Sequence, residues 1–309
     1  MNVNDFKSFV GGLFRWYMGV LLVLLMFFYG CRNEEMLEIA IVSTNDIHGN
    51  IEQFPKLATF VSRVKACYPE VILVDAGDRF TGNPYVDYAK KKGWPIISLM
   101  NDLGYEVGAL GNHEFDFGQQ VLQERINDAS FPMICANIDQ DELTGILPSY
   151  VIERVGVKLG FFSLLLLDED QLPKANSEYL KGLHFDHYLN EIENYKKYKD
   201  QCDVLIGLTH LGVADDSVLA MQMPELDMII GGHSHTLLES PKIVNDVLIG
   251  QSGIKLQYAG LTILKFKRGK LVERSYRSCL IDTITQVDSS VFRKVKSFMD
   301  DLRFQEVIG

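Results

Sequence analysis

Short apolar runs alternate with amphipathic stretches along most of this chain. Typical strands are predicted by EIAIVST at 38–44, VILVDAG at 71–77, EVGALGN at 106–112 and FPMICANI at 131–138. Between the first two, FPKLATFVSRVKACY at 54–68 has apolar residues at the spacing of an amphipathic helix. Alternation of strand and helix indicates an α/β core.

The second half continues this alternation and ends in a β-rich part. SYVIERVGVKLGFFSLLLL at 149–167 predicts a pair of strands, and DHYLNEIENYKKYKDQC at 186–202 predicts a helix. DVLIGLTH at 203–210 and LDMIIGGH at 226–233 predict two more strands. The last β pattern, within 258–281, alternates as antiparallel strands do. An α/β core followed by a β meander favours one domain.

Side chains capable of acid–base or metal chemistry follow five of the predicted strands. They are Asp46 and His48 in STNDIHGN, Asp78 in DAGDRFTGN, Asn112, His113, Glu114 and Asp116 in GNHEFDFG, His210 in LTHLG, and His233 and His235 in GGHSHT. In α/β sheets, ligands bind at the loops that leave the carboxyl ends of strands. The five segments therefore predict one functional site.

The donor types in these segments favour divalent metal ions. Carboxylate, amide and imidazole donors suit Zn²⁺, Mn²⁺, Fe²⁺ or Co²⁺, and no cysteine lies in these loops to suggest a structural zinc site. The D-x-H and H-x-H spacings let alternate side chains at a strand end approach a common centre. Seven donors exceed the needs of one tetrahedral ion and suit two ions that share a carboxylate.

Each segment also has a simpler interpretation when taken alone. Asp78 is compatible with a turn in which an aspartate accepts hydrogen bonds from backbone amides. His210 is compatible with a hydrogen-bonded histidine at a strand end, and a D-x-H pair is a common coincidence. The joint occurrence of five such segments, each close to a glycine, favours the metal site.

The same motifs resemble a known family. NDIHG, AGDRFTG, GNHEFDFG, LTHLG and GGHSHT are similar to the metallophosphatase domain of the bacterial 5'-nucleotidase/UDP-sugar hydrolase family, within the calcineurin-like metallophosphoesterases. The resemblance covers nearly all of 37–280. It implies the calcineurin-like metallophosphoesterase fold, a β-sandwich flanked by helices, as a single catalytic domain.

The resemblance also implies a role for each motif residue. One metal ion is expected to be held by Asp46, His48, Asp78 and His235. The second is expected to be held by Asp78, Asn112, His210 and His233, so Asp78 bridges the two ions. His113 and Asp116 are expected to form the catalytic pair. Glu114 is either a hydrogen-bond partner behind the ligands or a solvated cap on the following helix.

The implied reaction is hydrolysis of phosphate monoesters, above all nucleotides, by in-line attack of a metal-bound water. Nucleotide-sugar or cyclic-nucleotide phosphodiesters are alternative substrates for the same centre. Full-length members of the family continue into a second domain that binds the nucleobase, and no such segment follows in these 309 residues. A metal-loaded subunit that works with a separately encoded nucleotide-binding partner is therefore a further hypothesis.

The N-terminal segment predicts export. Lys7 and Arg15 precede the uncharged run WYMGVLLVLLMFFYG at 16–30, which is shorter than a spanning helix and suits a signal peptide. A small residue directly before Cys31 resembles a bacterial lipoprotein cleavage box, which implies lipidation of Cys31. An uncleaved N-terminal anchor is the alternative. Both hypotheses place the domain outside the cytoplasm, attached to a bacterial membrane on its periplasmic or outer-surface face.

The expected organisation has four parts: a lipoprotein signal peptide at 1–30, a tether at 31–37, the metallophosphoesterase domain at 38–285 and a C-terminal helix at 286–309. The formal net charge of −11 argues against binding of a nucleic-acid polymer, which requires a basic surface. It does not argue against phosphorylated small molecules, because bound metal ions supply local positive charge.

Overall fold

The structure is a computed structural model that describes residues 36–139 and 143–308. From Glu38 onward the described residues form one compact unit. The signal peptide predicted over 1–30 and the lipidation predicted at Cys31 lie outside the described residues. None of the described helices combines the length and the apolar character needed to cross a membrane.

The first of two mixed sheets has seven strands among the described residues, in the order β13-β12-β1-β2-β3-β4-β5. Strands β1 to β5 pair in parallel, and β12 pairs antiparallel with β13. Their bounds are Leu37–Thr44 (β1), Glu70–Asp75 (β2), Val107–Ala109 (β3), Met133–Ile134 (β4), Ile146–Leu147 (β5), Tyr258–Lys267 (β12) and Lys270–Leu280 (β13). The carboxyl ends of the parallel strands therefore meet along one edge.

The second sheet has six strands among the described residues, in the order β10-β11-β9-β8-β7-β6. Strands β7, β8, β9 and β11 are parallel, while β6 and β10 are antiparallel to their neighbours. Their bounds are Ser149–Arg154 (β6), Val157–Phe162 (β7), Val204–Leu208 (β8), Met228–Ile230 (β9), Lys242–Val244 (β10) and Val247–Gly250 (β11).

The two sheets touch directly where β13 meets β11. The Tyr276 ring of β13 lies so close to Gly250 of β11 that a β-carbon at position 250 would come within 2.5 Å of it. Glycine is therefore needed at 250 for the sheets to approach at this point. The α/β fold with two packed sheets, expected from the sequence and from the family resemblance, is confirmed.

Helices cover the outer surfaces of the sheets. They are Phe54–Cys67 (α1), Pro84–Asp87 (α2), Trp94–Leu103 (α3), Gln119–Asp128 (α4), Ile192–Lys196 (α5), Val213–Gln222 (α6) and Ser289–Ile308 (α7). One core cluster joins α1, α3, α4 and α7 to the first sheet, and another joins α5 and α6 to the second. The carboxyl-end loops are thus held on two fully packed layers.

Several predicted elements differ in extent from those observed, including one strand and one helix. The strand predicted over 131–138 is reduced to Met133–Ile134. Pro132 has no N–H to donate to a ladder, and beyond the strand the N–H of Ala136 donates to the carbonyl oxygen of Ser163 instead. The single helix predicted over 186–202 is divided into the 3-10 helix Tyr188–Glu191, α5 and the 3-10 helix Lys197–Gln201. Buried Ile192 and Tyr195 pack against the second sheet, where Tyr195 stacks on Phe162 at 4.5 Å.

The long helix α7 begins at Ser289 because Asp288 caps it. The Asp288 carboxylate accepts hydrogen bonds from the backbone N–H groups of Ser290 and Val291 at 2.9 and 3.0 Å. A capping carboxylate satisfies N–H groups that have no partner in the first turn. Helix α7 then packs mainly on α1 and contributes Val291 and Val295 to the core.

Candidate metal centre

Loops from both sheets meet at the carboxyl ends of five parallel strands. Asp46 and His48 follow β1, Asp78 follows β2, Asn112 follows β3, His210 follows β8, and His233 and His235 follow β9. The bridge between Leu165 and His210 and the backbone bond from Asp46 N to Gly77 O join neighbouring loops. The structure brings all seven predicted metal ligands into one cluster.

The first donor group contains Asp46, His48, Asp78 and His235, each offering an oxygen or nitrogen atom within 4.8 Å of the others. The Nε2 atoms of His48 and His235 are 3.1 Å apart, and His235 Nε2 is 3.4 Å from Asp46 Oδ1. The side chains of Asp46, His48 and Asp78 are buried, whereas that of His235 is 41% exposed. The group is therefore open to solvent on the His235 side.

The second donor group shares Asp78 with the first and adds His210 and His233, again with all donor atoms within 4.8 Å. His210 Nε2 lies 3.0 Å from Asp78 Oδ2. The side-chain oxygen of Asn112 is 3.0 Å from His233 Nδ1, which places the predicted amide ligand at this group as well. Two four-donor groups with Asp78 in common match the arrangement expected for a dinuclear centre.

Most of these ligands are held in an unusual backbone conformation. Positive φ angles occur at Asp46 (49°), His48 (47°), Asp78 (55°), His233 (78°) and His235 (56°). Non-glycine residues in the left-handed region are uncommon, and such strain collects at functional sites. The surrounding structure therefore holds these side chains in place against the local preference of the chain.

The donor atoms fit a bound cation. The Nδ1 atoms of His48 and His210 face the carbonyl oxygens of Thr81 and Ala76 at 3.1 and 2.7 Å, so each ring donates from Nδ1 and points Nε2 into the cluster. His210 Nε2 is buried and, although it lies 3.0 Å from Asp78 Oδ2, it forms no hydrogen bond of normal angular geometry. A metal ion is the partner that satisfies a buried imidazole nitrogen surrounded by carboxylates.

Electrostatic interactions in the cluster favour positive charge. Burial disfavours the imidazolium form of His210, but the Asp78 and Asp46 carboxylates outweigh burial and raise its pKa to about 10. Burial likewise opposes the Asp78 carboxylate, yet the neighbouring His210 holds the pKa of Asp78 below its usual range. Burial, assisted by His210, lowers the pKa of His233 to about 4. The two aspartates thus attract a cation to this position.

His113 and Asp116 form a pair beside the metal ligands. Their side chains are joined by a hydrogen bond of 2.6 Å between His113 Nδ1 and Asp116 Oδ2. That bond raises the pKa of His113 above its ordinary value, although burial acts in the opposite direction. The His113 ring lies 5.0 Å from the His48 ring, and its backbone N–H donates to Asp78 Oδ1 at 2.9 Å. The pair is therefore fixed relative to the shared ligand.

Glu114 lies behind the ligands and is completely buried. Its carboxylate accepts hydrogen bonds from the backbone N–H groups of Asp78, Arg79 and Gly111 at 2.9, 2.8 and 2.6 Å. These bonds connect the loop after β2 to the loop after β3. The hypothesis of a solvated helix cap is wrong, and the alternative of a hydrogen-bond partner behind the ligands is confirmed.

The sequence analysis did not single out Arg79 or Asp75, which complete this buried support. Arg79 is fully buried, donates from Nε to Asp75 Oδ1 at 3.0 Å, and bonds the carbonyl of Ala109. Its guanidinium also lies 3.8 Å from the Glu114 carboxylate. Arg79 could have been identified from its position in the motif AGDRFTG, because a charged residue next to a predicted metal ligand is expected to interact with the site.

Comparison with known proteins agrees with the fold and the geometry of the site. The model of the calcineurin-like phosphoesterase family matches residues 39–237. The match covers more than half of the chain and includes all seven predicted ligands. The chain therefore belongs to the calcineurin-like phosphoesterases, a superfamily of metal-dependent hydrolases.

Several nucleotide phosphoesterases are similar to this chain. A 5'-nucleotidase of Vibrio cholerae is 30% identical over 289 residues, covering 79% of this chain and 51% of that protein. The trifunctional nucleotide phosphoesterase YfkN of Bacillus subtilis is 26% identical over 306 residues, covering 86% and 21%. The crystal structure of a 5'-nucleotidase precursor from Thermus thermophilus superimposes with a TM-score of 0.75 at 25% identity, covering 86% and 59%. The chain thus spans about a fifth to a half of these curated relatives.

Proposed function

We propose that this chain is a phosphoesterase that hydrolyses phosphate monoesters, with nucleotides as the preferred substrates. The observation that carries the proposal is the pair of donor groups that share Asp78, with His113 and Asp116 beside them. The 5'-nucleotidases among the relatives support the substrate class. Two divalent ions held by these groups would supply Lewis-acid activation of water and would neutralise phosphate charge.

The residues of the chain supply orientation and further charge. Asp78 is held from two directions, by the N–H of His113 on one oxygen and by His210 beside the other. Asp116 bonds Nδ1 of His113, which leaves Nε2 of that ring to donate a hydrogen bond to a phosphoryl or leaving-group oxygen. Because His113 directly follows Asn112, its distance from the second donor group is set by the backbone.

The proposal is tested by phosphate release from metal-loaded protein. AMP, UDP-glucose, a cyclic nucleotide and an aryl phosphate are each supplied with Zn²⁺, Mn²⁺, Co²⁺ or Fe²⁺, and bound metal is counted by elemental analysis. AMP hydrolysis with two ions per chain is the expected result. His113→Ala should abolish turnover with both ions retained, whereas Asn112→Ala should also weaken metal binding. His187→Ala, outside the cluster, is the matched control and should be fully active.

Other outcomes distinguish the alternatives. Preference for the cyclic nucleotide or for UDP-glucose would identify a phosphodiesterase on the same centre. A separately encoded nucleotide-binding partner is also proposed, and its support is that the match covers only 51% of the Vibrio cholerae 5'-nucleotidase. Activity only after addition of such a protein would identify a metal-loaded subunit. Absence of phosphate release from every substrate, with and without the partner, would refute the enzyme proposal.

We also propose that the protein is exported and anchored to a bacterial membrane through a lipid on Cys31. The support is the sequence pattern at 1–31. Metabolic labelling with a fatty acid followed by membrane fractionation tests the proposal. Labelled wild-type protein in the membrane fraction, with an unlabelled Cys31→Ser variant, is expected. Membrane attachment of both proteins without label would instead identify an uncleaved anchor.

A further inference from the structure

A segment between β7 and β8 borders the predicted catalytic loop. We name residues 168–181 the rim segment. The amide nitrogen of Asn112 donates to the carbonyl oxygen of Lys174 at 3.0 Å. Further along, Gln119 bonds the carbonyl oxygens of Tyr179 and Lys181 at 3.1 and 2.8 Å. The rim segment is thus fixed to the loop that carries His113.

Within the rim segment, Lys174 occupies the tip of a tight turn. The N–H of Ala175 donates to the carbonyl oxygen of Pro173 at 2.7 Å, which closes a three-residue turn centred on Lys174. Proline restricts the backbone on one side, and the Asn112 amide holds the carbonyl of Lys174 itself. The root of the Lys174 side chain therefore has a defined position beside a predicted metal ligand.

That position is within reach of the site. Standard bond lengths place the Lys174 Cα within about 5.4 Å of the Asn112 amide nitrogen. An extended lysine side chain spans about 6 Å from Cα to Nζ, so an ammonium turned toward Asn112 can reach the space beside the donor groups. Lys174 is exposed, as are parts of His113 and His235, at 34% and 41%. The site is therefore open to solvent at His113 and His235.

The two lysines of the rim segment differ in their ion pairs among the described residues. Lys181, in the same segment, pairs with Glu178 at 2.7 Å. Lys174 makes no ion pair with any residue in the described ranges 36–139 and 143–308. An ammonium that no described carboxylate neutralises, on a positioned turn beside the site, can attract an anionic ligand.

We propose that Lys174 binds the phosphoryl oxygens of the substrate. The inference rests on the proposed function and names a substrate-binding residue that the sequence motifs do not contain. The ammonium contributes a third source of positive charge, besides the metal centre and His113, and its ligand is a phosphate monoester dianion. Because the contact is to the transferred group, its effect is independent of the leaving group.

The experiment compares Lys174→Gln, Lys174→Arg and the control Lys181→Gln in full-length, metal-loaded protein. Binding of inorganic phosphate is measured by calorimetry, and steady-state kinetics are measured with AMP and an aryl phosphate. Loss of a charged hydrogen bond predicts that Lys174→Gln raises both the phosphate Kd and KM by about tenfold or more. Lys174→Arg should recover most of the binding, and Lys181→Gln should match the wild type.

The outcomes separate this proposal from the proposed function. Phosphate binding that is equal in Lys174→Gln and wild type, with two metal ions in each, overturns the role of Lys174 whether or not the enzyme is active. An increase in KM for AMP but not for the aryl phosphate also overturns it, because the contact would then be to the leaving group. Wild-type protein that binds phosphate through Lys174 but hydrolyses no ester would refute only the proposed function.

Discussion

Replacement of Glu114 by glutamine is expected to weaken both the fold and the metal centre. The substitution keeps the shape of the side chain but replaces one carboxylate oxygen with an NH₂ group. Oε2 accepts from Asp78 and Gly111, so the amide oxygen is best placed there. The NH₂ group then faces the N–H of Arg79, which loses its acceptor in a fully buried position.

The size of the expected stability loss follows from the lost hydrogen bond and from the buried N–H of Arg79 that is left without an acceptor. A hydrogen bond to a charged acceptor contributes about 1.5–3 kcal/mol, and a buried N–H without a partner costs about 1–3 kcal/mol. Since the two terms partly describe the same contact, we expect the free energy of unfolding to fall by about 3 kcal/mol. Typical domains are stable by about 5–15 kcal/mol, so the variant should still fold.

Urea denaturation and metal titration of the Glu114→Gln variant measure the two effects. Metal affinity should fall together with stability, because Glu114 connects the loop of Asp78 to Gly111. Glu178→Gln is the matched control, since Glu178 is 68% exposed and its carboxylate contacts Lys181. An unchanged unfolding midpoint and an unchanged metal affinity in Glu114→Gln would refute the reasoning.

Three further predictions concern the site. Asp116→Asn should lower kcat on the order of 100-fold with metal content unchanged, because His113 loses its charged partner. A variant with the kcat of the wild type would contradict this prediction. Gly111→Ala should lower stability by about 2 kcal/mol and weaken metal binding, as its β-carbon would lie 2.2 Å from Asp78 Oδ1. Gly207→Ala, where the nearest atoms are at 3.4 Å or more, is the control and should bind metal normally. Removal of metal by a chelator should lower the free energy of unfolding by about 3 kcal/mol, where the reference is protein with free metal at about 100 times its Kd. Equal melting temperatures with and without the chelator would refute the metal centre.

Much of the fold follows from local patterns. The runs that became β1, β2, β8 and β9 are apolar and short, and the stretch that became α1 has helical spacing, so each element is specified by its own residues. The rule that ligands bind at the carboxyl ends of parallel strands groups Asp46, Asp78 and His210 from the sequence alone. The sequence alone therefore determined the class of fold and the identity of the predicted ligands.

Other features depended on contacts between distant segments. The pattern at 186–202 has no local signal for two breaks, which arise where Ile192 and Tyr195 pack on the second sheet. Nothing in GNHEFDFG distinguishes a hydrated glutamate from the buried Glu114 that bonds Asp78 and Arg79.

Lys174 illustrates the same limit at the site itself. It lies 62 residues from Asn112 in the chain, yet its carbonyl oxygen bonds that side chain. Residue type and spacing determine which donors a chain offers, because strands and motifs are local. Only tertiary structure decided which charges are buried and which are paired, because those properties depend on neighbours that the sequence places far away.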